Sequence, residues 1–437
     1  MNKLPQHEEN SHAVENRKSY LLHRQTQYQY AYEYAHTIAV VRKLPCREIP
    51  GIGYWLRGGI NLLQLIPSLP NLLVTFSRYL LGKPLENYQD YVFYPFSPPN
   101  PRLVDTFQQD LTFGLQRVIG VNPVVLRAVT RQNPLPAALP ESEIRRIFAE
   151  QITEVDYAAA LEQKRVYVLD YASLEILQQN PGSIDGGRKQ YVTTPIVVLF
   201  LQSDGLLQPL AIQLYQDARP DNPVYTPKDG NLWLAAKMFA QVADGNHHIL
   251  YTHATRIHYV MEAIIMASRR QLYKSHPLSV LLNPHLQHTL NVNHQHTFLR
   301  NQKGQPGRYG ELFAGDYDAT TQCMANAMTS FNFRASAFPN DIAKREVDNP
   351  ALFYPFRDDG MLLWNAIQSF VKEYIDVYYR SDADVIEDYE IQAWTNDVSA
   401  QDRGRIPGFP ARFESKQELA ETFGHVIFLC TAFHSCI

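Results

Sequence analysis

The stretch from Asn231 to Arg270, NLWLAAKMFAQVADGNHHILYTHATRIHYVMEAIIMASRR, constrains the chain more than any other. Between Leu232 and Met266 it has no proline and one glycine, Gly245, and its apolar residues recur at helical rather than alternating spacing. That pattern predicts one long helix. Three histidines, His248, His253 and His258, stand at five-residue intervals along it. On a straight α-helix, residues five apart differ by roughly 140° around the axis, so His248 and His253 would diverge. A π-type turn aligns the i and i+5 positions on one face, and such turns occur mostly at functional sites. A metal held by this pair therefore requires an irregular helix. Spacing alone does not prove a site, because nine of the 15 histidines fall between His247 and His296 and chance pairs are expected there.

The text around these histidines resembles the lipoxygenases, non-haem iron dioxygenases of polyunsaturated fatty acids. The family's central helix reads approximately W-x-x-A-K, then H-x-x-x-x-H-x-x-x-x-H-x-x-x-E. Here that becomes Trp233, Ala236, Lys237, His248, His253, His258 and Glu262, and the segment HPLSVLLNPHLQHTLNVN from His276 to Asn293 is similar to the family's next segment. The resemblance implies that His248 and His253 are iron ligands, with His258 and Glu262 supporting them from behind. The end of the chain, SKQELAETFGHVIFLCTAFHSCI, opens with a helix-cap signal at Ser415 and turns almost wholly apolar from Val426. A histidine in such a segment needs a partner. "TAFH" matches the family's "ASAxH", which makes His434 the third expected ligand, while His425, nine residues earlier, falls on the opposite face.

The family continues well past this histidine and ends in an isoleucine whose carboxylate also binds iron, whereas this sequence stops at Ile437. Two readings stay open. A truncated chain keeps three imidazoles and loses the carboxylate, or the Ile437 carboxylate, about one turn beyond His434, reaches the metal itself.

The remaining sequence fits a globular body. Its 437 residues are 45% hydrophobic, enough for a sizeable core, and a net charge of −4 gives no basic footprint for nucleic acid. Cys46, Cys323, Cys430 and Cys436 are too scattered for a disulfide framework or a zinc finger, and the opening residues lack a secretory pattern. A cytoplasmic protein is the expectation. Gly58 to Ser77 is the longest uncharged run, but Pro67 and Pro70 make it a poor spanning helix, so core packing or transient membrane-surface contact is expected.

Residues 1–25 read as a polar tail and 26–95 as a helical segment. Proline-rich text at 95–101 then leads into a lipoxygenase-like catalytic domain, 96–437, whose C-terminal part is missing by comparison with the family. Within it Arg165–Tyr171, Thr194–Leu201 and Pro209–Tyr215 read as short strands, and Asn301–Gly315 as a loop. Arg357, Asp358 and Asp359 precede a helical run and read as its cap. The expected fold is mainly α, a large helical body around the long central helix with a small antiparallel β region.

The resemblance implies one non-haem iron per chain, a polyunsaturated fatty acid and O2 as substrates, and a hydroperoxide product, with a ferric hydroxide taking a hydrogen atom from the 1,4-diene. The position and handedness of oxygenation do not follow, although the family's stereocontrol position aligns near Asn291. Neutral imidazoles with oxygen donors suit such a metal, whereas a thiolate-rich set would have pointed to structural zinc or an iron–sulfur cluster. The competing classes are an inactive or lipid-binding lipoxygenase remnant and a zinc hydrolase. The second is disfavoured because its His-Glu-x-x-His helix is absent.

Overall fold

The computed structural model describes residues 3–54, 56, 106–184, 188–217, 219–300 and 313–437. The expectations for Gly58–Ser77, for 95–101 and for most of Asn301–Gly315 lie outside these residues.

Helix α1, Ser11–Gln27, starts the fold, with the Asn10 side chain accepting hydrogen bonds from the His12 and Ala13 amides at 3.0 and 3.1 Å. An antiparallel hairpin follows, β1 (Tyr30–Ala35) and β2 (Ile38–Val41), with Tyr30 opposite Val41. Ser11–Gln27 is thus a helix where a polar tail over 1–25 is expected, and residues 30–41 are a hairpin where 26–95 is expected to be helical; residues 57–95 of that segment lie outside the described residues. α1 is polar in sequence yet buries Arg17, Leu21 and Arg24, because Arg17 finds the carboxylate of Glu390. The hairpin buries its aromatic and aliphatic side chains in the main core.

After α2, Asp110–Ile119, comes a five-stranded antiparallel sheet in the order β3-β4-β5-β6-β7. Its strands are β3 (Arg127–Ala128), β4 (Val166–Asp170), β5 (Ile196–Leu201), β6 (Leu207–Gln213) and β7 (Val224–Tyr225). The three longer strands are those expected from sequence. β5 reads as an unbroken apolar run because both its faces are covered. Val197, Leu199 and Leu201 join the main core. Ile196, Val198 and Phe200 face a smaller core with Ile144, Ile147 and Phe148.

The central rod is helical from Asn231 to Gln271 in three parts: α3 (Asn231–His247), a π-helix (His248–Tyr259) and α4 (Val260–Gln271). In α4 Val260, Ala263, Ile264, Ile265, Met266 and Ala267 are fully buried, the signature of a helix enclosed on every side. The other long helices gather around it: α5 (Thr289–Arg300), α6 (Tyr317–Thr329), α7 (Pro355–Tyr378), α8 (Tyr389–Ser399) and α9 (Lys416–Phe428). At α9 the Ser415 side chain accepts from the Glu418 amide at 3.1 Å, the cap expected there. α9 then passes into a second π-type turn, Leu429–Phe433, and a last turn, His434–Cys436. Among the described residues no helix is long and apolar enough to cross a membrane.

Arg357 is structural. Its guanidinium donates to the carbonyls of Val347, Asn349 and Leu352 at 3.0, 2.6 and 3.1 Å and pairs with Asp358, so it ties the start of α7 to the preceding loop.

Candidate metal centre

The tryptophan and lysine near the start of the rod are anchors. The Trp233 indole donates to Asp110 at 2.8 Å, and the Lys237 ammonium reaches Asp110 and the Gln108 carbonyl, each at 2.6 Å, so both pin α3 to the start of α2. One helical turn before the π-helix Asp244 is buried against the Arg117 guanidinium at 2.9 Å, the Tyr171 hydroxyl at 2.7 Å and the Asn122 amide at 2.8 Å. Asn122 in turn accepts from Thr252, inside the π-helix, at 3.2 Å. A buried polar network fixed on three sides leaves the rod one way to enter its wide turns.

The π-helix then does what the five-residue spacing requires. It places the Nε2 atoms of His253 and His258 3.2 Å apart. The Nε2 of His434, at the end of the second π-type turn, lies 3.1 Å from each. These three residues form the one group of metal-competent side chains among the described residues.

The grouping differs from the expected set by one member. His258, expected to stand behind the ligands, is in the cluster. His248, expected as a ligand, stacks its ring on His253 with centroids 5.5 Å apart and an interplanar angle of 17°, one step farther along the rod. The reason is phase: i to i+5 alignment holds equally for both pairs, and His434 arrives beside the second of them. Glu262 stands behind the cluster. Its buried carboxylate accepts from the Val41 amide and from the Asn293 side chain, each at 2.8 Å. His425 lies outside, packed between Phe333 and Trp364 at 4.3 and 5.4 Å. Ile437 closes the turn that begins at His434, and its side chain packs on the core.

Electrostatics favour neutral rings. Burial first, then the neighbouring imidazoles of His258 and His434, push His253 down to about 3. Burial also lowers His258 and His434. Neutral imidazole is the form that binds metals. Burial pushes the Glu262 carboxyl up to about 7, against the opposing effect of its two N–H donors.

The donor set fits a single metal ion: three imidazole nitrogens 3.1 to 3.2 Å apart can all lie about 2.1 Å from a common centre. Nitrogen donors of this kind suit zinc, copper, nickel or non-haem iron.

Sequence reading missed Asn293, whose Oδ1 lies 2.8 Å from His258 Nδ1. The available signal was an asparagine inside an apolar segment just after the rod. It also missed the second π-type turn, which carries no spaced pair to reveal it.

A mainly helical body, wrapped around a rod whose π-helix presents two histidines to a third from the last helix, is the arrangement of a helical protein able to hold a metal ion. The comparisons make the class specific: the family model for lipoxygenases matches residues 79–437, and the chain belongs to the lipoxygenase family. That family depends on non-haem iron. The chain is 34% identical over 350 residues to a linoleate 9/13-lipoxygenase of Pseudomonas aeruginosa, covering 77% of this chain and 49% of that protein. It is also 34% identical to the human hydroperoxide isomerase ALOXE3, over 75% of this chain and 45% of the relative. Among solved structures, a lipoxygenase variant in complex with arachidonate superposes with a TM-score of 0.85 at 27% identity, covering all of this chain and 66% of the other. A coral 8R-lipoxygenase gives 0.83 at 26%, covering all of this chain and 65% of the other. The chain thus spans about half the length of the curated relatives it matches.

Proposed function

We propose that the chain provides the iron centre of a fatty-acid dioxygenase, with His253, His258 and His434 as its three nitrogen ligands. The observation that carries this reading is the triangle of Nε2 atoms, 3.1 to 3.2 Å on each side. The remaining positions would be left to oxygen donors. Non-haem iron supplies one-electron chemistry toward a 1,4-diene and oxygen. The protein's own contribution is positional. Burial keeps the three rings neutral, the π-helix fixes the bite of His253 and His258, and the last helix brings His434 to close the face. Similarity to a linoleate lipoxygenase and to a structure solved with arachidonate supports a polyunsaturated fatty acid, oxygenated to a hydroperoxide.

The test is metal analysis of the purified chain, together with oxygen uptake and conjugated-diene absorbance with linoleate. About one iron per chain with both signals is the expected result. A chain that takes up no iron under reducing, anaerobic loading overturns the metal assignment. A second reading is a lipid-binding chain without turnover. Stoichiometric iron with linoleate binding but no oxygen uptake selects it.

A further inference from the structure

The hydrogen bonds behind His258 form an ordered chain that ends on the N-terminal hairpin. Val41, in β2, donates its amide to Glu262 Oε1 at 2.8 Å. Glu262 Oε2 accepts from Asn293 Nδ2 at 2.8 Å, and the same Nδ2 donates to the His258 carbonyl at 2.9 Å. Asn293 Oδ1 faces His258 Nδ1 at 2.8 Å. Glu262 is 1% exposed and Asn293 2%, so bulk water does not compete for these contacts.

The donor inventory fixes the direction of the chain. A carboxylate and a carbonyl are both acceptors, so the side-chain nitrogen of Asn293 is committed to them and its oxygen must face the imidazole. An oxygen acceptor at 2.8 Å requires the proton on His258 Nδ1. Nε2, which faces His253 and His434, is then left with a bare lone pair. We propose that Asn293, oriented by Glu262 and through it by the β1–β2 hairpin, is a positioning residue that locks His258 in the Nδ1–H tautomer needed to bind metal. This rests on His258 being a ligand, as proposed above. Val41 lies before residue 79, where the family match begins, so the chain's N-terminal hairpin becomes part of the scaffold of the centre.

Three variants of the full chain test this: Asn293→Leu, Glu262→Ala and the double exchange Asn293→Asp with Glu262→Gln. The double exchange reverses the polarity of one link. The new amide at position 262 would accept from Val41 and donate to the new carboxylate at position 293, which would still accept from His258 Nδ1. Its cost is at the His258 carbonyl, where the amide donor 2.9 Å away is replaced by a carboxylate oxygen that cannot donate. Two readouts are needed, 15N NMR of the His258 ring in the metal-free chain and Co(II) affinity by chelator competition, with circular dichroism confirming the fold.

The expected result is a single Nδ1–H tautomer in the wild type and the double exchange. Asn293→Leu should give mixed or Nε2–H tautomers and Co(II) binding weaker by about 10–100-fold, with Glu262→Ala between them. If Asn293→Leu folds, keeps the Nδ1–H tautomer and binds Co(II) within about twofold of wild type, the proposal is wrong. If Asn293→Leu fails to fold, the double exchange decides: loss of the tautomer there overturns the proposal and its retention upholds it. A wild-type chain that binds no metal defeats the metal assignment, while the tautomer readout still judges this one.

Discussion

At the scale of single residues, the cluster turns on which two of three equally spaced histidines face His434. His258→Ala removes one corner of the triangle, and its expected effect is loss of most bound iron. His248→Ala removes a ring stacked behind His253 and should leave metal stoichiometry near wild type. Metal analysis of the two variants side by side checks the assignment, and the opposite ranking would restore the expected ligand set. Buried histidines outside the cluster contribute to acid stability, His247 and His425 among them. His425 is fully buried and burial holds its imidazole down to about 3, against an ordinary value of about 6.5. Below about pH 6.5 the unfolded chain takes up a proton that the fold refuses, so stability falls with pH by up to about 1.4 kcal/mol per unit until about pH 3. Urea unfolding at about pH 7.5 and about pH 5 should show a smaller loss for His425→Gln than for wild type, by up to about 2 kcal/mol. Equal losses would mean that His425 is not the group responsible.

At the scale of elements, the rod was legible because its apolar face and its five-residue histidine spacing are both local. The spacing demanded wide turns and the structure has them over His248–Tyr259. The choice between His248 and His258 was not legible, since it depends on where the last helix docks. α1 was not legible for a related reason: its buried arginine finds Glu390 across 373 residues of sequence, and without that partner a polar run reads as a tail. The β5 run, by contrast, announced itself by being apolar on both faces. Within the π-helix the Thr255 hydroxyl donates to the Leu250 carbonyl at 2.6 Å, five residues back, and Thr255 is fully buried. This side-chain bond adds to the wide-turn backbone pattern a contact that an ordinary α-turn would not place. Thr255→Val keeps the volume and removes the bond, at an expected cost of about 1 kcal/mol in chemical denaturation. An unchanged midpoint would show that the π-helix is held by its ends alone, at the Asp244 network and the cluster.

At the scale of the whole molecule, the proposed centre is also a crosslink. His253 and His258 stand in the middle of the central rod, while His434 comes from the end of the last helix, 181 and 176 residues away in sequence. A cation shared among them joins α9 and its π-type turn to the rod at their far end. Ligand linkage gives the scale: a metal at a hundred times its dissociation constant adds about 2.7 kcal/mol to the stability of the folded state. The effect should also be local, because no residue of His434–Cys436 is buried. Chelation should therefore lower the melting temperature and speed amide exchange most strongly over residues 429–437, with α4 and the sheet changing little. His434→Ala, with metal present, should exchange like the chelated wild type. If the last turns exchange at the same rate with and without metal, the three histidines meet through packing alone, and the metal contributes chemistry without holding the fold together.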